Sequence, residues 1–329
     1  MRSSLIIALL ISATATPLLA QGRTVEFETL PHAADIDSAS QSHDEAIRRD
    51  RHDRMTVQVR LGGSGPYHFL VDTGSDRTAL SRQLADRLGL KAAGTARLHS
   101  VTGMSEVTTV MLPQLQLSGK DIEVAHAPLL DRENIGADGI LGIDSLRSQR
   151  LQFDFPNRTM TIVPSVQRVS SEERDAIIVE ARRRNGRLIL TRARADGVPV
   201  TIILDTGSQL SIANEPLRRE LARRRSLPQL GQVELQSVTG EKLIGDYMFL
   251  KTLDLGNVAL ANLVTVFAEA HTFQLLGLAD QPAILLGMNA LRGFEKVSID
   301  FDRKQLRVRT PQKSELNGTM MAARANEGH

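Results

Sequence analysis

The 329-residue chain has no cysteine and no tryptophan, and only two tyrosines. Without cysteine, neither a disulfide framework nor a lipid-modified cysteine behind a leader can form. Scarce aromatics leave little on which nucleic-acid bases could stack. Forty basic residues stand against 38 acidic ones, a formal charge of +2, so no overall basic field is available to hold a phosphate backbone. The triplets Arg182-Arg183-Arg184 and Arg223-Arg224-Arg225 read as solvated ends of a strand and a helix. The eight histidines show no metal-ligand spacing. Neither nucleic-acid binding nor a metal site is expected.

What the chain does contain is a repeat. Phe69-Leu70-Val71-Asp72-Thr73-Gly74-Ser75 returns as Ile202-Ile203-Leu204-Asp205-Thr206-Gly207-Ser208. Each copy is an apolar, β-rich run that stops at a carboxylate followed by a hydroxyl, a glycine and a second hydroxyl. One such motif is an ordinary strand-end turn; two in one chain can bring two acids together. Carboxylates about 3 Å apart cannot both ionise, so one keeps a proton while the other acts as a base toward a shared water. Thr73 and Thr206 carry short hydroxyls able to bond the opposite loop's backbone. Gly74 and Gly207 let backbone N–H groups approach the acids. Ser75 and Ser208 are each placed to donate to a carboxylate oxygen, which favours the ionised form and predicts action in mildly acidic conditions.

In chain order, Met1 to Ala20 has a basic start, an apolar run from Leu5 to Ile11 and small residues at its end, the pattern of a secretory signal peptide cleaved after Ala20. The apolar run is short for a membrane span, and no later one approaches the necessary length. Residues 21–54 form a polar arm, linker or propeptide, with one strand expected at Thr24 to Glu28. A first lobe covers 55–164. There Met55 to Leu61 alternates with period two, and Tyr67 to Val71 returns to Asp72 as the second arm of a hairpin. Ser81 is set to cap a short helix ended by Gly89. Residues 165–176 read as a linker, and a second lobe over 177–310 runs the same programme, with Asn214 capping a helix. Ser237-Val238-Thr239-Gly240 matches Ser100-Val101-Thr102-Gly103. Leu285-Leu286-Gly287 matches Ile140-Leu141-Gly142, and two closing strands end each copy. Residues 311–329 form a loose tail. Such recurrence in one order indicates internal duplication, which would present two equivalent acids across a pseudo-two-fold axis.

These residues resemble the aspartic proteases, in particular retropepsin-like proteins of bacteria with both halves fused in one chain. The resemblance runs from about Met55 to Arg309 and rests on the two Asp-Thr-Gly-Ser turns and the two later apolar-apolar-Gly motifs. It implies a mostly β fold of two homologous acid-protease β-barrel lobes related by a pseudo-two-fold axis, with the cleft between them. It implies that Asp72 and Asp205 are the catalytic dyad, that Thr73 and Thr206 interlock, and that Ser100 to Gly103 and Ser237 to Gly240 are the tips of flaps that fold over an extended peptide. Flap closure would exclude water. Asp76 stands where retropepsins hold substrate main chain with a carboxylate paired to an arginine just after the apolar-apolar-Gly motif. Ile143 and Met288 occupy those arginine positions here, which leaves Asp76 to pair with Arg77, face solvent or bind peptide unaided. Gln209 replaces it in the second lobe, so the two halves of the cleft differ. Neither flap carries the tyrosine of pepsin-like enzymes.

The expected function is therefore an exported aspartic endopeptidase, periplasmic or secreted, acting on peptide or protein substrates. It would be a monomer with two internal lobes, free of membrane after signal cleavage, and would require neither metal nor organic cofactor. The alternative is a peptide-binding module that keeps the cleft but hydrolyses little; a third possibility is that residues 21–54 cover the cleft until trimmed. A serine-hydrolase reading of Ser75 or Ser208 lacks any histidine motif and the glycine of a nucleophile elbow.

Overall fold

The computed structural model describes residues 55–311 except 118–119, 185, 225–226 and 228–230, together with short strand segments at Ser4–Ile6, Ser12–Thr14, Glu45–Ala46, Arg48–Arg49 and Met321–Ala323. The expected signal cleavage point and the strand proposed at Thr24 to Glu28 lie outside the described residues.

The body is mostly β. The strand Met55–Leu61 buries alternate side chains, and its partner Ser64–Val71 becomes fully buried at Phe69, Leu70 and Val71 just before the acid. The first lobe's sheet runs in the spatial order Ala92–His99, Met104–Val110, Ala127–Leu130, Ala79–Ser81, Gly139–Leu141, Ser64–Val71, Met55–Leu61. The second runs Gly231–Gln236, Lys242–Asp254, Val258–Phe267, Ser211–Ala213, Ala283–Leu286, Val198–Leu204, Arg187–Ala195. Strand by strand these are the same order. The parallel and antiparallel pairings match as well, so duplication extends from sequence motif to topology.

A third sheet joins the lobes. The closing hairpin of the first, Gln149–Asp154 with Thr159–Pro164, pairs antiparallel through Gln149–Asp154 with Lys296–Asp300 of the second, and Gln305–Arg309 and Ile177–Glu180 continue it. The register places Gln152 opposite Ser298, with Arg150 opposite Asp300 on one side and Asp154 opposite Lys296 on the other. Arg150 is 1% exposed and lies 3.4 Å from Glu173. Glu173 also accepts a 2.8 Å hydrogen bond from Ser298 Oγ. It belongs to the helical turn Ser171–Arg174, capped reciprocally by Ser170. The stretch read as a linker is therefore tied to the joint between the lobes.

Helix termini form as the side chains dictate. Ser81 Oγ accepts from the Leu84 amide at 3.1 Å to open Arg82–Arg87, and Gly89 follows in the left-handed region. Asn214 Oδ1 accepts from the Leu217 amide to open Glu215–Arg224. Along each acid-bearing strand, burial alternates between two apolar clusters. Phe69 and Val71, like Ile202 and Leu204, point into the main core, whereas Leu70 and Ile203 lie on the opposite face in two smaller clusters.

Candidate active site

Each acid is held by the motif that recurs later in its own lobe. Gly139–Leu141 lies parallel to Phe69, Leu70 and Val71, and the Asp72 amide donates to Leu141 O at 3.0 Å. Ala283–Leu286 lies parallel to the strand before Asp205, whose amide donates to Leu286 O at the same distance. The glycine that follows must be a glycine. A Cβ on Gly142 would stand 2.4 Å from Arg77 C, and one on Gly287 would stand 2.6 Å from Leu210 O. The acid-bearing turn thus folds back directly over the second motif.

The two turns meet at the centre. Thr73 Oγ1 donates to Leu204 O at 2.9 Å and Thr206 Oγ1 donates to Val71 O at 2.7 Å. In return each threonine oxygen accepts the other's amide at 3.1 Å. Four hydrogen bonds between elements 133 residues apart lock the acids in place.

Asp72 and Asp205 are both 0% exposed and touch within hydrogen-bonding reach. Gly74 N donates to Asp72 Oδ1 at 2.8 Å, while Gly207 N and Ser208 N donate to Asp205 Oδ1 at 3.0 and 3.2 Å. The second oxygens, Asp72 Oδ2 and Asp205 Oδ2, are buried and have no hydrogen-bond partner among the described residues. Burial, and after it the neighbouring Asp205 charge, holds the Asp72 carboxyl well above the ordinary carboxylate range. Burial pushes Asp205 up to about 7 against the Arg187 charge and the Gly207 and Ser208 amides. Burial, reinforced for Asp72 by the neighbouring charge, thus keeps a proton on the pair above the ordinary carboxylate range.

Two expectations need correction. The hydroxyls of Ser75 and Ser208 do not donate to the acids: they bond Arg77 O at 2.8 Å and Leu210 O at 2.6 Å, closing their own turns. A hydroxyl has a single proton to give, so the amides rather than the hydroxyls serve the carboxylates. Nor is Asp76 left to Arg77, solvent or peptide alone. Arg187 NH1 of the second lobe lies 2.9 Å from Asp76 Oδ1, and its Nε donates to Gly74 O at 2.9 Å. The NH1 contact is off the line of a hydrogen bond, so it acts as a contact ion pair. Burial raises Asp76 to about 6 although the Arg187 charge opposes it.

Arg187 is the functional residue that sequence reasoning missed. It is completely buried, opens the strand Arg187–Ala195 that pairs antiparallel with the strand leading into Asp205, and lowers the proton affinity of both central acids through its charge. A signal was present: an arginine opening the apolar run Leu188-Ile189-Leu190, with Arg54 preceding Asp72 by the same interval. Asp144 and Asn289 were also passed over. Asp144 Oδ1 accepts from Thr78 N and Oγ1, and Asn289 Oδ1 accepts from Ser211 N and Oγ, so each braces its acid-bearing loop. Gln209, in the place of Asp76, accepts from Arg292 NH1 at 3.4 Å.

Ser100 to Gly103 and Ser237 to Gly240 do form hairpin tips, between Ala92–His99 and Met104–Val110 and between Gly231–Gln236 and Lys242–Asp254. They cross. Val101 is fully buried in the second lobe's smaller cluster with Ile203, Ile212 and Leu285, while Val238 is fully buried in the first lobe's with Leu70, Ala79 and Ile140. Within each tip, Ser100 Oγ accepts the Thr102 amide and Ser237 Oγ accepts the Thr239 amide.

A family model described as aspartyl protease matches residues 57–145 and 191–290, together more than half of the chain, with one matched segment per acid. The chain belongs to the aspartyl protease family. A search of curated proteins finds no match.

Proposed function

We propose that the chain is an aspartic endopeptidase in which Asp72 and Asp205 share one proton and activate a water between them. The observation that carries this reading is the buried contact of two acids, each with one oxygen, Oδ1, occupied by backbone amides and the other, Oδ2, buried without a partner among the described residues. The ionised acid takes a proton from water as its oxygen attacks the peptide carbonyl carbon, and the neutral acid gives its proton to the carbonyl oxygen. Collapse of the resulting diol breaks the C–N bond: the departing nitrogen takes a proton from one acid while a diol hydroxyl gives its proton to the other. The products are a carboxylic acid and an amine, with one proton again on the pair. No bond forms between enzyme and substrate, and Thr73, Thr206, Gly74, Gly207, Ser75 and Ser208 act by fixing the acids.

The same proposal includes export by residues 1–20, lobes over 55–164 and 177–310, and action as a single chain, because one polypeptide supplies both acids. The test is digestion of an unbiased peptide mixture from pH 3 to pH 7 beside Asp72→Asn and Asp205→Asn. Cleavage by the wild type and at least a thousand-fold loss in each variant supports the dyad. A wild type that binds peptides but cuts none, even after removal of residues 21–54, makes the chain a binding module instead.

A further inference from the structure

The crossed tips place apolar plugs against the faces of the sheets that lead to the acids. Ile203 directly precedes Leu204-Asp205 and pairs with Leu285, and both contact the cluster that holds Val101. Leu70 and Ile140 stand in the same relation to Val238. An extended peptide entering between the lobes must displace these tips, and what holds them decides how readily it enters.

The two tips are held differently. Besides the Glu241 carboxylate, which accepts from Thr102 Oγ1 and Ser105 Oγ of the first tip, the second is fixed by neutral contacts to Asn134: Gln236 Nε2 donates to Asn134 Oδ1 at 3.0 Å, and Gly240 lies so close to Asn134 that a Cβ would meet its side chain at 2.9 Å. The first is fixed to the second lobe by the His271 amide, which donates to Val101 O at 2.7 Å, and by a bond between imidazoles, His99 Nδ1 to His271 Nε2 at 3.0 Å. The rings lie 12° from parallel with centroids 5.3 Å apart, a separation close to that of rings joined end to end by one N–H···N bond. Such a bond needs a proton on one nitrogen and a lone pair on the other. A second proton turns it into two N–H groups facing each other at contact distance.

We propose that the His99–His271 bond is an acid-released latch on the first flap: near neutral pH it holds Val101 in the second lobe, and protonation of both rings frees the tip so that peptide can enter. The proposal rests on the cleft being the peptide site argued above, while its test reads the flap alone. The charged surroundings favour release rather than rescue of the doubly charged pair. Arg97 lies on the same strand as His99 and repels it. Glu106 pairs across from Arg97, Glu241 is occupied with Thr102 Oγ1 and Ser105 Oγ, and Glu269 is exposed two residues before His271. Burial, then His271, then Arg97 lowers the proton affinity of His99. The closed tip therefore binds fewer protons than the open one, and closure is lost as pH falls.

Hydrogen exchange of the full chain, corrected for intrinsic rates, would be followed over residues 96–106 and 268–276 between pH 7.5 and 4.5. The expected result is a ten-fold or greater loss of protection in both segments of the wild type, and no loss in His99→Gln, whose amide keeps a neutral hydrogen bond without titrating. Flat protection in the wild type, or an equal fall in His99→Gln, overturns the latch. Should the variant fail to fold, wild-type imidazole titration by NMR decides: titration coincident with loss of protection supports the proposal, and titration at a different pH overturns it. None of these readings requires hydrolysis, so a chain that cuts nothing can still show the latch.

Discussion

Replacing Arg187 by methionine removes a buried guanidinium while nearly preserving its volume. Asp76 then keeps a largely buried carboxylate without its countercharge, which costs about 3 kcal/mol, and Gly74 O loses its donor at a further cost of about 1 kcal/mol. The total near pH 8 is about 4 kcal/mol. It must depend on pH. Asp76 already stands at about 6, and without Arg187 it rises further, so the folded variant holds a proton that the unfolded chain releases. A group raised in the folded state contributes stability at low pH and withdraws it as pH rises, so the penalty should fall to roughly half at pH 5. Adding Asp76→Asn to the variant should restore about 2 kcal/mol at pH 8 by removing the orphaned charge. Urea denaturation at the two pH values measures all three quantities. A cost below about 1 kcal/mol at pH 8, or one independent of pH, refutes the assignment of Arg187 as the counterion between the lobes.

Three further outcomes follow from the same geometry. Thr206→Val leaves Val71 O and the Thr73 amide unpaired in the core and should cost about 2–4 kcal/mol in urea denaturation, with loss of peptide cleavage. Gly142→Ala places a carbon 2.4 Å from the Arg77 backbone and should lower expression or thermal midpoint sharply, whereas alanine at Gly63, where a Cβ meets no neighbour, should act only through its backbone conformation. Cleavage should decline once rising pH strips the last proton from the pair, and Arg187→Met should move that decline to higher pH because the Arg187 charge lowers the proton affinity of both acids.

The architecture was legible because duplication writes it twice. The Asp-Thr-Gly-Ser turns, the apolar-apolar-Gly motifs and the closing strands each have a partner, and their common order carries over into the two equivalent sheets. What could not be read were contacts between lobes, which depend on how two copies face one another. Arg187 looks like the polar start of a strand until Asp76 of the other lobe is placed beside it. The serine hydroxyls look suited to the acids until the turn closes and its own carbonyls, two residues ahead, claim them. His99 and His271 share no sequence motif, and only the crossing of the hairpin tips brings them together. Val101 and Val238, read as flap tips, give no hint in sequence that each is buried in the opposite lobe.

The shared proton is tested most directly by NMR of protein carrying carbon-13 in its aspartate carboxyl groups, followed from pH 3 to pH 9 and assigned with Asp72→Asn and Asp205→Asn. The pair should still hold a proton at pH 6 and release it near 7 or above, with each substitution abolishing the coupled step. Two carboxyls that titrate independently near 4, leaving both ionised at pH 6, would contradict the shared proton.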